Sequence, residues 1–512
     1  MDLTKKWAII DIGSNTIRLV IYKENNSGIL KETNNIKSPA RLRRYLNEDN
    51  VLMEKGIKKL IEILTGFKEI LAYHEVENVQ CVATATIRQA VNKERILKNV
   101  KEQTGLTIEI FTEEEEAYYG FYAVTQTTPI AEGVTIDIGG GSTEITYYKD
   151  RKLKHFHSFP FGVVSLKEQY IKGDTVTEEE RETLSQFIIH SLQSLPWLKD
   201  LHVPIVAIGG SARNIAQMDQ HLKKYPLAGI HQYTMNINDL YGIRSYMESL
   251  NFSELERLEG LSKDRADIIF PALEVFIHLC EYVQSKAFMF SRKGLRDGVF
   301  LKKFGEKLIL TNTEEIISRS INQLRQDYDI DEEHSNHVAF LAGRLYKEVI
   351  ALCNRNESLE HLKIIDRSAR VYFIGEYMDA DISSQHTFYL LANQSIDGLD
   401  HKERLKLAMV SSFKNKTLLR QYIEPFLDWF TKEELEEIRI GGALTKLASS
   451  LDASKRGIVK DVKLSFEENG DVTLTVLCTG NFFVERYQVE KQIRHLEKAI
   501  KQSILIKFIL SP

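Results

Sequence analysis

Two stretches of the chain repeat one another in their pattern of apolar and polar positions. Residues 7–24 read WAIIDIGSNTIRLVIYKE, and residues 134–150 read VTIDIGGGSTEITYYKD. Each begins with an apolar run ending in Asp-Ile-Gly. A turn of Gly, Ser, Asn or Thr follows, then an alternating run that ends in Tyr-Lys. Period-two alternation on both sides of a short polar turn predicts a hairpin. A second polar turn (NNSG in the first copy, KDRK in the second) leads into a further short strand, so each copy predicts a three-stranded meander. Asp11 aligns with Asp137, Gly13 with Gly139 and Tyr22 with Tyr148. Two unrelated hairpins would not share that spacing, so the pattern predicts a duplicated unit.

Between the copies the period changes. Residues 54–74 and 92–104 carry helical spacing, whereas VQCVATAT and LTIEIFT are strand-like. After the second copy, a helical stretch near 177–200 precedes the strand PIVAIGG. This alternation predicts an α/β class with two similar halves, residues 1–125 and 126–305. From Thr311 onward the spacing is helical, and it predicts a helical domain over 312–455. Two alternating strands, VKLSFEE and DVTLTVLC, and the helix YQVEKQIRHLEKAIKQS then predict a small α+β segment over 456–512.

Composition narrows the function. The chain has 512 residues, 43% hydrophobic and 27% charged, which is ordinary for a folded protein. Its 67 basic and 72 acidic side chains leave a net charge of −5, so no general nucleic-acid coat is expected, although a local basic channel fits. The 4 cysteines are far apart without a CxxC pair, which argues against a zinc site or a disulfide framework. No apolar run reaches the ~18 residues of a membrane span. A cytoplasmic location without membrane or specific nucleic-acid partners is expected.

The two turns are the candidate chemistry. Successive backbone N–H groups in a turn without bulky side chains make an anion-binding nest, and glycine lets the backbone approach a phosphate closely. Ser14, Asn15, Thr16, Ser142 and Thr143 add side-chain donors. No GK[ST] follows, and a strand rather than a helix comes next, so these are neither a Walker loop nor a dinucleotide fingerprint. Two such turns facing across a cleft would clamp a phosphate chain. Asp11 and Asp137 end the first strand of each copy. Each suits a cation beside phosphate, with Glu144 as a second ligand to Asp137, or caps its own turn. In FTEEEEAYYGFY, Thr112 and Glu115 have capping-box spacing, which accounts for Glu113 to Glu115 but not for Glu116. Arg88 offers a guanidinium fork to phosphate or to water. IGGSARN, with Gly209, Gly210 and Ser211, could contact a base or a phosphate, or simply turn the chain.

Taken together, AIIDIGSNTIRLVI, ATATIRQA, EEEEAYYGFYAV, TIDIGGGSTEI, FPFGVVSL, AIGGSARNIAQ, SKDRADII and SRKGLRDGVFL resemble the exopolyphosphatase / guanosine pentaphosphate phosphatase (Ppx/GppA) family of the actin-like ATPase superfamily. The resemblance covers about the first 300 residues. It implies duplicated actin-like (ribonuclease H-like) halves and Mg²⁺-dependent release of terminal phosphate from inorganic polyphosphate or guanosine pentaphosphate. It implies Glu116 as catalytic base and Asp137 and Glu144 as the acidic pair near metal and water. Ser14, Asn15, Arg88, Gly139, Gly140, Gly141, Ser142 and Thr143 would hold phosphates. Thr112-Glu113 stands where the family often has Ser-Gly. The alternatives are the nucleotide as substrate, or a non-catalytic phosphate-binding module.

The region from VAFLAGRLYKEV through VYFIGEYMDADISSQHTFYLL resembles the helical HD-like domain of longer family members. Tyr372-Phe373 stands where an HD site would place His-Asp, so no metal catalysis is expected there, even with His337 and His386 nearby. A role in a homodimer or in guiding a long polyanion is the expectation. Arg41, Arg43, Arg44, Arg292 and Lys293 are candidate basic residues for such a track.

Overall fold

The repeated hairpins form as the alternation predicts. In the computed structural model, which describes residues 5–24, 30–304, 310–467 and 471–510, strand β1 (Lys6–Ile12) pairs antiparallel with β2 (Thr16–Glu24), and β2 with β3 (Leu30–Pro39). Strands β4 (Asn78–Ala83) and β5 (Ile108–Ile110) add in parallel, giving the order β3-β2-β1-β4-β5. The second copy builds the same pattern from β6 (Gly133–Ile138), β7 (Thr143–Lys149), β8 (Lys152–Phe159), β9 (Ile205–Ile208) and β11 (Phe288–Phe290). A short antiparallel edge strand, β10 (Thr234–Met235), is added. Read from the opposite edge, the order is β8-β7-β6-β9-β11-β10, so β1 to β5 correspond to β6, β7, β8, β9 and β11. Asp150 and Arg151 turn β7 into β8 with φ of 52° and 55°, the left-handed pair that suits a tight hairpin. The corresponding turn NNSG lies outside the described residues.

Each half has its own core, and each lends one helix to the other. The helix Glu113–Thr125 follows β5, and the helix Leu295–Lys303 follows β11. Phe121, Tyr122 and Val124 of the first pack with Tyr148, Val206 and Ile208 of the second sheet. Val299 and Phe300 of the second pack with Ile9, Val20, Tyr22 and Val82 of the first sheet, with Tyr22 and Phe300 stacked at 3.7 Å between centroids. The exchange locks the halves at the seam where both hairpin turns lie. It also means that residues 113–125, grouped with the first half by sequence, cover the second half's sheet.

The chain divides into two compact units, residues 1–225 with 230–316 and residues 226–229 with 317–512. The second unit holds the helices Glu332–Leu352, Leu359–Arg370, Ser383–Asn393, His401–Ser411 and Lys432–Leu451. It also contains a sheet of β12 (Val459–Phe466), β13 (Val472–Cys478) and β14 (Ile504–Leu510), in that order. The last strand departs from the expectation. The predicted helix 487–503 is two helices, Phe483–Gln492 and Arg494–Ile500, ended by Lys501 at φ 61°, and ILIKFIL then pairs parallel to β13. The alternation in ILIKFIL was a usable strand signal. Among the described residues no helix is long and apolar enough to cross a membrane.

Candidate active site

The two turns are built alike. Ile12 pairs with Ile17 and Ile138 with Thr143, so each turn spans four residues. One backbone bond closes each, Gly13 N–H to Thr16 O at 3.1 Å and Gly139 N–H to Ser142 O at 2.9 Å. The carbonyls of Gly139 and Gly140 accept from Val163 and Val164, which anchors the second turn from outside. The turns face each other closely: a Cβ on Gly140 would lie 3.2 Å from the Ser14 Cβ. Any side chain there would press the turns apart, which gives the glycine a physical reason.

The duplicated hairpins differ in charge at one register position. Asp11 lies opposite Arg18, whereas Asp137 lies opposite Glu144. Residues opposite in an antiparallel pair share a face, so one half presents an acid–base pair and the other two carboxylates. Both pairs line a cleft of about 250 Å³, together with Glu116. Glu144 is buried and accepts from the Ser142 and Ser158 hydroxyls, the latter at 2.9 Å. Burial raises its pKa well above the carboxylate range, and the charges of Glu116 and Asp137 add to the rise. Burial and the Asp11 charge push Asp137 up to about 6, against the pull of Arg296 and Arg265. Burial also raises Asp11, opposed by Arg296, whose Nη1 lies 3.3 Å from its carboxylate.

Glu116 comes to this cluster by helix geometry. The capping box forms, with Glu115 N–H donating to Thr112 Oγ1 at 3.1 Å and Thr112 N–H to Glu115 Oε2 at 2.8 Å. That fixes the first turn and leaves Glu116 on another face, where Arg88 Nη1 donates to its Oε2 at 2.8 Å. Arg88 Nη1 also donates to Phe111 O at 3.0 Å, so the guanidinium ties strand end to helix start. Burial raises the Glu116 pKa to about 7, even though Arg88 pulls it down.

The cleft also contains cations, of which the sequence had pointed only to Arg292. Arg18, Lys37, Arg213, Arg265, Arg292 and Arg296 line it, six cationic side chains against four carboxylates. Arg18 is lowered to about 10, first by burial and then by the charges of Arg296 and Arg213. The buried Nε atoms of Arg18 and Arg213 and the Oδ1 of Asn214 have no hydrogen-bond partner. Arginines crowded this closely, with donors left unpaired, form a setting for an anion. The signal was partly visible, since Arg265 and Arg296 lie inside SKDRADII and SRKGLRDGVFL, but nothing local said which way they point.

Most of the residues singled out by sequence meet here, but not all in the expected role. Ser14, Thr16, Gly139, Gly140, Ser142, Gly209 and Gly210 line the cleft. Asn15 holds the following loop through its carbonyl, which accepts from Ala40 and Arg41. Thr143 is fully buried and its hydroxyl donates to Phe161 O at 2.7 Å. Ser211 is buried and accepts from Arg265 at 3.3 Å. Gly141 lies against the Arg43 side chain. Arg88 holds Glu116 instead of lining the cleft. Gly209 sits at φ 88°, and a Cβ there would lie 2.5 Å from Asp137 Oδ1; a Cβ on Gly210 would lie 2.2 Å from Arg265 Nη2. The two glycines therefore leave room for a carboxylate and a guanidinium.

Paired ribonuclease H-like sheets, with acids and cations gathered where their hairpin turns meet, define an actin-like α/β protein. The chain belongs to the Ppx/GppA phosphatase family. The model of that family matches residues 20–307, and the model described as Ppx/GppA phosphatase, domain III, matches residues 316–492. Two curated relatives from Aliivibrio fischeri strains, each named guanosine-5'-triphosphate,3'-diphosphate pyrophosphatase, are 24% and 25% identical. Each alignment covers 90% of this chain, and 89% and 88% of the relative. The crystal structure of an Aquifex aeolicus Ppx/GppA family member superposes with a TM-score of 0.52 at 29% identity, covering 58% of this chain and 97% of that one. An exopolyphosphatase structure from Cytophaga hutchinsonii shares the fold, with a TM-score of 0.55 at 22% identity over 60% of this chain and 100% of that one.

Proposed function

We propose that this phosphatase releases the terminal phosphate of inorganic polyphosphate, with Glu116 as general base. The lining of the cleft carries the reading: six cations surround four carboxylates, and among the described lining residues none is aromatic. A phosphate chain needs distributed positive charge and no platform for a base, whereas bases are commonly held by aromatic stacking.

A water attacks the terminal phosphorus in line and gives its proton to Glu116. A pKa of about 7 suits a base working near neutrality. Arg88 holds Glu116 Oε2, which leaves the other oxygen to take the proton. Arg18, Arg213 and Arg296 offset the charge on the phosphate oxygens, and the two turns hold the chain on either side of the bond that breaks. Phosphoryl transfer depends mainly on such positioning and electrostatics.

Mg²⁺ fits the donor set. Crowded carboxylates with raised pKa values are relieved by a divalent cation, and Mg²⁺ takes one or two carboxylates plus phosphate oxygens and waters. Among the described residues no group of three or more His, Cys, Asp or Glu is placed to hold a metal ion, so most ligands would come from phosphate and water. Asp137 and Glu144 would hold it; when bound, it supplies further charge neutralisation to the transferring group.

A second reading, hydrolysis of guanosine pentaphosphate by the same chemistry, is favoured by the names of the Aliivibrio fischeri relatives. Phosphate release from long-chain polyphosphate and from guanosine pentaphosphate, at matched concentrations with Mg²⁺, separates the two. Faster release from polyphosphate is expected. Preference for the nucleotide would replace the first reading with the second, and release from neither would end both.

A further inference from the structure

Next to the active-site cleft is a smaller recess of about 60 Å³ that shares Ser14 with it as a common wall. Arg41, Arg43 and Arg44 line it with Asp264, Asp267 and Glu168, and so does Lys167, whose ammonium donates to the carbonyls of Ile171 and Gly173. The arginine loop hangs directly on the first turn: Arg41 N–H donates to Asn15 O at 2.9 Å and Arg43 N–H to Ser14 O at 3.2 Å. Arg43 lies along the second turn, 3.9 Å from where a Gly141 Cβ would be, and is braced by Gln89 at 2.6 Å. The backbone that would grip the substrate therefore also positions these arginines.

We infer that this recess is a second anion subsite, taking a phosphate group further along a chain whose terminal phosphate lies in the cleft. The inference rests on the polyphosphate reading. On a scale where one water needs about 10–15 Å³, the recess has room for a phosphate group. Its Arg44–Asp267 pair is 3.7 Å long, with Arg44 more than half exposed. Such a pair contributes little, so phosphate oxygens can displace it. Lys37 and Asp264, at 3.3 Å, form a second exchangeable pair beside it. The 3′-diphosphate of guanosine pentaphosphate offers the same oxygen chemistry, so the substrates must be compared directly.

Two substitutions break the same ion pair with opposite charge effects. Arg44→Gln removes a cation from the recess, whereas Asp267→Asn removes a competing anion. Removing a charge-assisted hydrogen bond to phosphate at a partly exposed site costs about tenfold in affinity. Arg44→Gln should therefore raise KM for long-chain polyphosphate about tenfold, and several-fold more than for tripolyphosphate, while Asp267→Asn should lower it. A merely structural pair would move both variants the same way, and that result, or a change below twofold in both, would overturn the subsite. A larger effect on guanosine pentaphosphate than on polyphosphate would overturn the chain assignment in favour of the 3′-diphosphate. Equilibrium binding of long-chain polyphosphate to the full chain is measured in parallel. If the wild type hydrolyses nothing, the proposed activity falls, while opposite shifts in binding still decide the subsite.

Discussion

Glu116 owes its proposed role to a division of labour within one helical turn. Glu115 is used by the cap and Glu114 is exposed, whereas Glu116 meets Arg88 and the acidic cluster. Glu116→Gln keeps the shape and one acceptor for Arg88 but cannot take a proton from water. Loss of a positioned general base costs about 10²–10⁴-fold in rate, and that drop in kcat on polyphosphate is expected with little change in binding. Glu114→Gln should turn over like the wild type. A Glu116→Gln enzyme that retains most of its kcat would remove Glu116 from the chemistry and turn attention to Glu144 or Asp137. The same scale shows how the duplication diverged: one register position holds Arg18 in the first hairpin and Glu144 in the second, so similar hairpins carry a cation in one half and a carboxylate in the other.

At the scale of elements, the crossing of two helices holds the site together. Glu113–Thr125 and Leu295–Lys303 follow equivalent strands, each covers the other half's sheet, and the fourth residue of each is Glu116 and Gly298. A Cβ on Gly298 would lie 1.9 Å from Tyr119 O, a backbone atom that cannot move aside. Overpacking typically costs about 1–3 kcal/mol, and a clash with backbone belongs at the upper end. Gly298→Ala should lower the urea midpoint of the first unit and reduce kcat, because Glu116 and Arg296 sit on the two displaced helices. An unchanged midpoint would mean that the helices do not cross this closely.

At the scale of the whole molecule, the second unit carries a different kind of polar centre. Tyr372 and Phe373 stack at 4.3 Å, and the Tyr372 hydroxyl donates to Phe413 O, so the place of a metal pair is filled by packing. His337 faces acceptors on both ring nitrogens, Asp452 at 3.2 Å and Val459 O at 2.8 Å, and so ties the helix Glu332–Leu352 to β12. The Asp452 carboxylate beside Nδ1 raises its pKa, burial opposes the rise, and the Val459 carbonyl adds to it. A raised histidine pKa stabilises the fold fully below the unfolded value of about 6.5 and loses that contribution as pH rises through the folded value. His337→Gln should therefore destabilise the second unit by about 1–2 kcal/mol at pH 5.5, as expected for a charged hydrogen bond, and by less at pH 8.5. Denaturant titration of the full chain at both pH values measures this. Equal losses at both would mean that the ring is neutral throughout.

The sequence by itself determined whatever depends on short-range periodicity. Alternation across a four-residue turn placed Asp137 opposite Glu144 and Asp11 in the equivalent position. The Thr112–Glu115 spacing capped a helix and left Glu116 over. Two similar meanders predicted two similar sheets. Only the tertiary structure decided what depends on packing between distant segments. Arg88 turned inward to Glu116, Thr143 to the Phe161 carbonyl, and Ser211 to Arg265. Arg18, Arg213, Arg265 and Arg296 converged from four separate stretches. Periodicity reports which face of an element is apolar, but not which element covers that face. The exchange of helices at the seam, which collects acids and cations into one cleft, is set by how the two cores close on each other.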